Sequence, residues 1–321
     1  MKTYDFYADL VEASIANLDI PQHPAGLYDP VRYILEGGGK RMRPVLTVAA
    51  CDACGAEPET ALNQAVALEM FHNFTLLHDD VMDKADMRRG RPTVHIRWNE
   101  ATAILSGDAM LTLASRYAAR CDEKKRGAIV DLFNRTALEV YEGQQYDMDF
   151  EERLDVTEDE YIEMIRLKTS VLLGCACRMG ALVAGADDGL CDALYSYGEL
   201  MGLAFQLRDD LLDTYGDPIV FGKRVGGDIL NDKKTWLLIT AIQNDPTDEL
   251  KDIILSGKPD GEEKIAAVKS VYDRLGVRQQ CERLIERYSN EAIEAVSEAG
   301  VSPAARDFFV ELARKSITRL H

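Results

Sequence analysis

The sequence predicts an all-α protein of long helices joined by short loops, and three observations carry that reading. Of the ten prolines, none lies between Pro92 and Pro218. The proline-free stretch is rich in Ala, Leu, Met and Glu, all strong helix formers. Apolar residues recur at three- and four-residue spacing, as in Leu62, Val66, Ala67, Met70, Phe71 and Phe74, which is one face of a helix. Hairpin dipeptides with alternating flanks are missing, and Asp188-Gly189 sits inside a helical pattern.

The elements follow in order. Met1 to Ser14 mixes Lys2, Asp5, Asp9 and Glu12 with apolar residues, so it lacks the apolar run of a secretory leader. Asp29-Pro30, Asp245-Pro246 and Ser302-Pro303 each place a capping residue before a proline at a first helical position. Thr157-x-x-Glu160 reads as a capping box. Cys51-x-x-Cys54 lies among Val48, Ala49, Ala50 and Ala53, so it reads as buried thiols in a helix, not as a zinc or redox pair. Seven scattered cysteines fit a reducing cytoplasm. The apolar run Thr169 to Cys177 is bounded by Lys168 and Arg178, far short of a membrane span. Asp147 to Glu160 holds eight acids in fourteen positions, without ligand spacing, and reads as a solvated loop between helices. No linker divides the chain, so residues 1–321 are expected to form one domain.

Charge narrows the partners. The 321 residues carry 37 Lys and Arg against 55 Asp and Glu, a net charge of −18. That balance argues against nucleic acid and against docking on an anionic membrane, and no stable membrane insertion is expected. It also sets a puzzle for any anionic substrate, which the placement of the few cations resolves.

Two segments share the pattern D-D-x-x-D. One is Asp79, Asp80 and Asp83, the other Asp209, Asp210 and Asp213, 130 positions later. On a helix such positions share one broad face. Three like charges crowd together there among Leu76, Val81, Leu211 and Leu212. Stability does not favour that arrangement, whereas a hard divalent cation neutralises it. Oxygen-only ligands suit Mg2+, which keeps waters and is usually shared with phosphates. The spacing does not match a calcium EF-hand loop.

The cations cluster beside these acids. Gly37-Gly38-Gly39-Lys40-Arg41-Met42-Arg43 delivers Lys and Arg from a glycine turn ahead of a helix, a suitable seat for phosphate. It is not a Walker loop. Arg88-Arg89-Gly90-Arg91 trails the first aspartate cluster, and Phe221 to Asp228, with Lys223 and Arg224, trails the second. Lys233 and Lys234 follow. The predicted layering is carboxylate, Mg2+, diphosphate and Arg or Lys.

Taken together, these motifs resemble those of the trans-isoprenyl diphosphate synthases, the polyprenyl synthetase family, over nearly the whole chain. The matching segments are residues 37–44, Glu69 with 78–95, Lys168-Thr169, 205–213 and 221–228. The resemblance implies long, mostly antiparallel helices around a central cavity, a homodimer, and condensation of an allylic diphosphate with isopentenyl diphosphate. It implies up to three Mg2+ ions held by Asp79, Asp80, Asp83, Asp209, Asp210 and Asp213. Arg88, Lys168, Lys223 and Lys233 are then expected on the allylic diphosphate. Lys40, Arg43, His72 and Arg89 are expected on the isopentenyl diphosphate. Lys168, Thr169 and Gln206 are expected to face the developing carbocation. His72 lies two helical turns before Asp79, on the same face, which supports its placement. Asp232-Lys233 stands where the family more usually has Gly-Lys.

The product is expected to be short. In the family it grows beneath the first aspartate cluster, where Phe74 and Thr75 stand five and four residues before Asp79. A bulky residue at the fifth position without an insertion in the motif resembles geranylgeranyl synthases, ahead of farnesyl synthases. Thr75 and Phe71 continue the Asp79 row, with Phe71 about 12 Å deeper at about 1.5 Å per residue. A terpene cyclase is disfavoured by the second intact DDxxD and the basic glycine turn. A non-catalytic modulatory subunit is disfavoured because no aspartate or basic contact is lost.

Overall fold

The computed structural model describes residues 1–217 and 225–318, with side chains as far as Lys315. Among the described residues the fold is all-α but for one two-residue strand pair. The chain divides into two compact units, Met1–Arg135 with Cys175–Tyr195 and Thr136–Gly174 with Ser196–His321.

The first unit begins with α1 (Tyr4–Ala16), whose cap Thr3 accepts a hydrogen bond from the Phe6 N–H. α2 (Ala25–Leu35), α3 (Met42–Ala53) and α4 (Leu62–Met82) follow. Burial runs around most of α4, taking in Ala65, Val66, Leu68, Met70, Phe71, Phe74 and Leu77. A helix buried on most sides is a core helix, and each large apolar side chain removed from water contributes roughly 1.5–3 kcal/mol. Its buried polar members need partners. Gln64 Nε2 donates to the carbonyls of Ala118 and Arg120 at 3.0 and 3.1 Å, closing the end of α6 (Glu100–Ala118). A short α5 (Val94–Arg97) precedes α6. Cys51 is buried in α3 as expected, whereas Cys54 is only half-buried, at the C-cap just past the helix; all seven cysteines are free thiols.

Residues of α7 (Glu123–Glu151), α9 (Val171–Ala184) and α10 (Asp188–Tyr215) are divided between the units. In the second unit, α8 (Glu158–Ile165) opens on the predicted capping box. It runs into a π-helical turn, Arg166–Ser170. After it come α11 (Gly227–Leu230), α12 (Trp236–Asn244), α13 (Glu249–Ser256), α14 (Gly261–Leu275), α15 (Val277–Glu298) and α16 (Pro303–Thr318). Leu207 and Leu211 of α10 enter a core with Trp236, Leu237, Val268, Tyr272 and Cys281. The Tyr197 hydroxyl docks α16 by donating to the Phe309 carbonyl at 2.8 Å.

Three local expectations are corrected. Pro30 lies inside α2, not at its start, because Pro24 already supplies the extended cap. Pro30 is the sixth residue of α2, past the N–H groups that a helix start leaves unpaired, so its missing N–H costs one helical hydrogen bond. The helix expected after Asp245-Pro246 begins at Glu249, although the Asp245 carboxylate still accepts from the Thr247 and Leu250 N–H groups at 3.2 and 3.3 Å. The acidic stretch is not wholly a loop, since α7 continues through Asp147, Asp149 and Glu151. Ser302 behaves as expected and caps α16, accepting from the Ala305 N–H at 3.2 Å.

Candidate active site

In the first unit the final turn of α4 carries the first aspartate motif. Asp80 is 3% exposed. Arg88 Nε bridges both its oxygens at 2.8 and 2.9 Å. Burial raises the Asp80 carboxyl above its ordinary value, and Arg88 opposes that rise. Asp79 is half-buried and Asp83 exposed at the helix end. Arg88 reaches Asp80 from the strand Met87–Arg88, which pairs antiparallel with Arg91–Pro92. Between them Arg89 and Gly90 have φ of 51° and 73°, both positive as a type I′ turn requires. The glycine makes the turn, and Arg89 is thrown across to donate to the Gly38 carbonyl.

That contact joins the two basic segments of this unit. Arg41, which lies in the basic glycine turn but has no role assigned from the sequence, is the anchor of that turn. It is 4% exposed and has a left-handed φ of 47°. It donates to Glu12 at 2.7 Å, to Glu69 at 2.6 Å and to the Leu35 carbonyl at 2.8 Å. With Arg41 folded inward, Arg43 is left half-buried, and its Nε has no hydrogen-bond partner among the described residues. Desolvation pushes the Arg43 guanidinium down to about 10, Glu69 resists and Arg89 adds repulsion. His72 is held well below its ordinary value by burial and then by Arg43, Arg89, Arg88 and Arg41. Its imidazole is therefore neutral at pH 7. Arg43 and Arg89 lie within electrostatic reach of each other and of the neutral His72. This is a cationic cluster with Glu69 as a partial counter-charge, suited to an anion. Phe71 and Phe74 lie under the motif with ring centroids 5.7 Å apart, and Phe133 stands 5.5 Å from Phe71. Thr75 bonds back to the His72 carbonyl at 2.8 Å.

In the second unit Asp210, 2% exposed, accepts a hydrogen bond from the Tyr161 hydroxyl. Gln206 Nε2 donates to its other oxygen at 3.2 Å. Burial pushes the Asp210 carboxyl up from 3.8 to about 7, with Lys233 working against the rise and Asp228 for it. Asp213 accepts the Asp228 N–H at 2.9 Å. Asp209 lies half-buried beside Asp210. Burial alone lowers the Lys233 ammonium, but Asp228, Asp210, Asp147 and Asp213 together outweigh it and hold Lys233 above its ordinary value. Lys168 meets Asp147 of α7 at 2.5 Å. The Thr169 hydroxyl donates to Gln206 Oε1 at 3.2 Å. The structure thus brings Lys168, Thr169, Gln206, Asp210 and Lys233 into one region. Lys223 lies outside the described residues.

Sequence reasoning missed Asp147, Tyr161, Asp228 and the anchoring role of Arg41. Asp147 carried a usable signal, since it stands one turn after Gly143 on α7, but the surrounding acids masked it. Asp232, in place of the more usual glycine, has φ of 51°. Aspartate is among the few side chains that tolerate this backbone, and Lys264 fixes it at 2.7 Å.

Among the described residues no three acidic, His or Cys side chains converge as a closed metal cage. What each motif offers is an open face of oxygen donors around one buried carboxylate. That donor set fits Mg2+, which retains several waters and takes the rest of its ligands from phosphates.

Comparison with known proteins agrees with this geometry. Residues 24–274 match the family model described as polyprenyl synthetase, a span that takes in both aspartate motifs. A geranylgeranyl diphosphate synthase of Methanosarcina mazei is 41% identical over 263 residues, 81% of this chain and 80% of that one. The solved structure of a geranylgeranyl pyrophosphate synthase superposes with a TM-score of 0.93 at 44% identity, covering 99% of both chains. A geranylgeranyl pyrophosphate synthase from Corynebacterium glutamicum, solved with isoprenyl diphosphate and magnesium, gives 0.88 at 27% identity over 99% of this chain and 100% of that one. A matching span that carries both motifs, on a fold shared from end to end, makes this chain a member of the polyprenyl synthetase family.

Proposed function

We propose that the protein is a Mg2+-dependent trans-prenyltransferase. It condenses an allylic diphosphate with isopentenyl diphosphate and releases geranylgeranyl diphosphate, in preference to farnesyl diphosphate. The observation that carries this reading is the cluster of Arg43, Arg89 and His72: among the described residues the buried Arg43 Nε lacks a hydrogen-bond acceptor and the two guanidinium charges lack a full counter-ion beyond Glu69. A diphosphate supplies both. The relatives named above, one of them solved with magnesium and isoprenyl diphosphate, support the substrate class and the metal.

In this reading Lys40, Arg43, His72 and Arg89 hold the isopentenyl diphosphate. Asp79, Asp80, Asp83, Asp209, Asp210 and Asp213 hold Mg2+, which when bound supplies Lewis-acid stabilisation of the allylic diphosphate as it leaves. Arg88, Lys168, Lys223 and Lys233 share that anionic charge. Breaking the carbon–oxygen bond leaves an allylic cation. The Thr169 hydroxyl, the Gln206 carbonyl oxygen and the Lys168 backbone carbonyl offer oxygen dipoles to it while apolar walls exclude water. The isopentenyl double bond attacks the cation, a new carbon–carbon bond forms, and the departing diphosphate takes the proton then lost. Phe71, Phe74 and Thr75 end the product's growth. The protein acts as a homodimer located in the cytoplasm, where the seven free thiols stay reduced.

The test is incubation with isopentenyl diphosphate, Mg2+ and each of dimethylallyl, geranyl and farnesyl diphosphate, with products resolved by chain length. Geranylgeranyl diphosphate is the expected product. No condensation with any primer overturns the reading.

A further inference from the structure

The π-helical turn Arg166–Ser170 holds Lys168 and Thr169, and its neighbours explain how an irregular turn keeps one register. The Val171 N–H bonds five residues back, to the Arg166 carbonyl, and the Ser170 hydroxyl donates to the Ile165 carbonyl at 3.3 Å. A turn of this kind bulges by one residue and collects at functional sites. A bulge needs room, and two glycines supply it. A methyl group on Gly143 of α7 would lie 2.3 Å from the Lys168 backbone nitrogen and 2.7 Å from its Cα. One on Gly202 of α10 would lie 2.6 Å from the Ser170 Cα. Real Cβ atoms do not approach backbone so closely, and backbone cannot swing aside as a side-chain tip can.

Each glycine heads a row of contacts on its own helix. Gly143 and Asp147 are one turn apart on α7, so the row that touches the Lys168 backbone also binds its ammonium. Gly202, Gln206 and Asp210 are successive turns of one row on α10. The row meets Ser170 through Gly202 and Thr169 through Gln206. Its last member, Asp210, is tied to Tyr161 of α8. The bulge is therefore gripped from both sides, at the backbone by glycines and at the side chains by the residues one turn further on.

We propose that Gly143 and Gly202 are positioning residues for prenyl transfer. They fix the register of the π-turn and so aim Lys168 and Thr169 at the reacting carbon. The proposal rests on the synthase reading given above. Gly198 provides a matched control. A methyl group there would lie 2.4 Å from the Leu173 carbonyl oxygen, an equal clash on the same helix but against α9 instead of the turn.

The experiment compares Gly143→Ala, Gly202→Ala and Gly198→Ala by kcat per folded molecule, KM for isopentenyl diphosphate and melting temperature. Both turn variants are expected to lose about 100-fold in kcat with KM nearly unchanged, the scale of a misplacement of about 1 Å. Gly198→Ala is expected to melt lower while its folded fraction keeps kcat within about threefold of wild type. A further variant lacking Leu167 converts the bulge to regular α-helix. It also removes a buried Leu, so it should melt below wild type while its folded fraction shares the kcat loss. Turn variants with kcat within about threefold of wild type overturn the proposal. So does a kcat loss in Gly198→Ala equal to theirs, or failure of all the turn variants to fold. An inactive wild type fails the synthase reading instead, so the two failures are distinguishable.

Discussion

The two aspartate motifs share a sequence pattern and differ in what grips them. Asp80 is held by a cation, the Arg88 guanidinium, at 2.8 Å. Asp210 is held by neutral donors, the Tyr161 hydroxyl and the Gln206 amide. Burial raises both carboxyls, but among the described residues only Asp80 has an opposing charge in direct contact, and Asp210 climbs to about 7. Asp80 is thus paired with a cation, while Asp210 relies on neutral donors and is partly protonated at neutral pH. The helices differ beneath the motifs as well. One and two turns before Asp79 come Thr75 and the aromatic Phe71. One, two and three turns before Asp210 come Gln206, Gly202 and Gly198. The first row closes a space, and the second lets another helix come close.

The sharpest way to break this comparison is to neutralise each acid. Asp80→Asn and Asp210→Asn are each expected to lower kcat/KM by roughly 100- to 1,000-fold, as for loss of one group that stabilises developing charge. Their stabilities should move in opposite directions in metal-free protein at pH 8. Asp80→Asn leaves Arg88 without its partner and melts lower, by the equivalent of about 1 kcal/mol because Arg88 is partly exposed. Asp210→Asn removes a buried charge yet can still accept from Tyr161, so it melts at or above wild type. Shifts of the same sign would erase the distinction.

The row beneath the first motif is tested next. Phe71→Ala or Phe74→Ala is expected to cost about 3–5 kcal/mol of stability, typical of a buried Phe, and to lengthen the product seen by chromatography. Unchanged products from both variants would remove them from the floor. Tyr161→Phe should then weaken Mg2+ binding about tenfold, as loss of a residue that orients a ligand does, with the effect read by titration of activity against Mg2+.

A smaller effect concerns pH. Asp210 has a folded-state value raised from 3.8 to about 7, so its protonated form favours the folded state. Its contribution to metal-free stability is present on the acid side of that window and is lost as pH rises through about 7. Mg2+ binding must expel this proton below pH 7, so affinity should tighten with pH up to about 7 and then level. A flat affinity between pH 5.5 and 8 would mean that Asp210 is ionised throughout. The smallest effect belongs to His72. Its folded value lies well below 6.5, so the unfolded chain takes up a proton first. Stability falls as pH drops below about 6.5, and His72→Gln should flatten that part of the acid melting curve.

Much of this was legible in the sequence because it rests on spacing. The D-D-x-x-D pattern, the glycine turn and the 3.6-residue periodicity depend only on what lies a turn away, and the helices carrying Asp79 and Asp209 followed. What spacing cannot encode is direction. Arg41 and Arg43 are chemically alike and two residues apart, yet the left-handed backbone at Arg41 turns it into the core and leaves Arg43 beside Arg89 and His72. The π-turn is invisible for a similar reason. Its five residues read as ordinary helix, and the room for the bulge comes from glycines on two other helices. Pro30 misled because Pro24, only six residues earlier, had already set the helix start.

The partly neutralised cluster of Arg43 and Arg89 beside His72 has a practical consequence at the bench. Repulsion held in a folded protein is relieved by whatever small anion enters, so sulfate or inorganic phosphate in a buffer will act as a folding ligand. At a concentration of 100 times its dissociation constant such an ion adds about 2.7 kcal/mol. Melting curves taken in phosphate will therefore overstate the strength of the empty enzyme. Any ranking of variants at these three positions needs a buffer whose anion is too large or too weakly charged to fit.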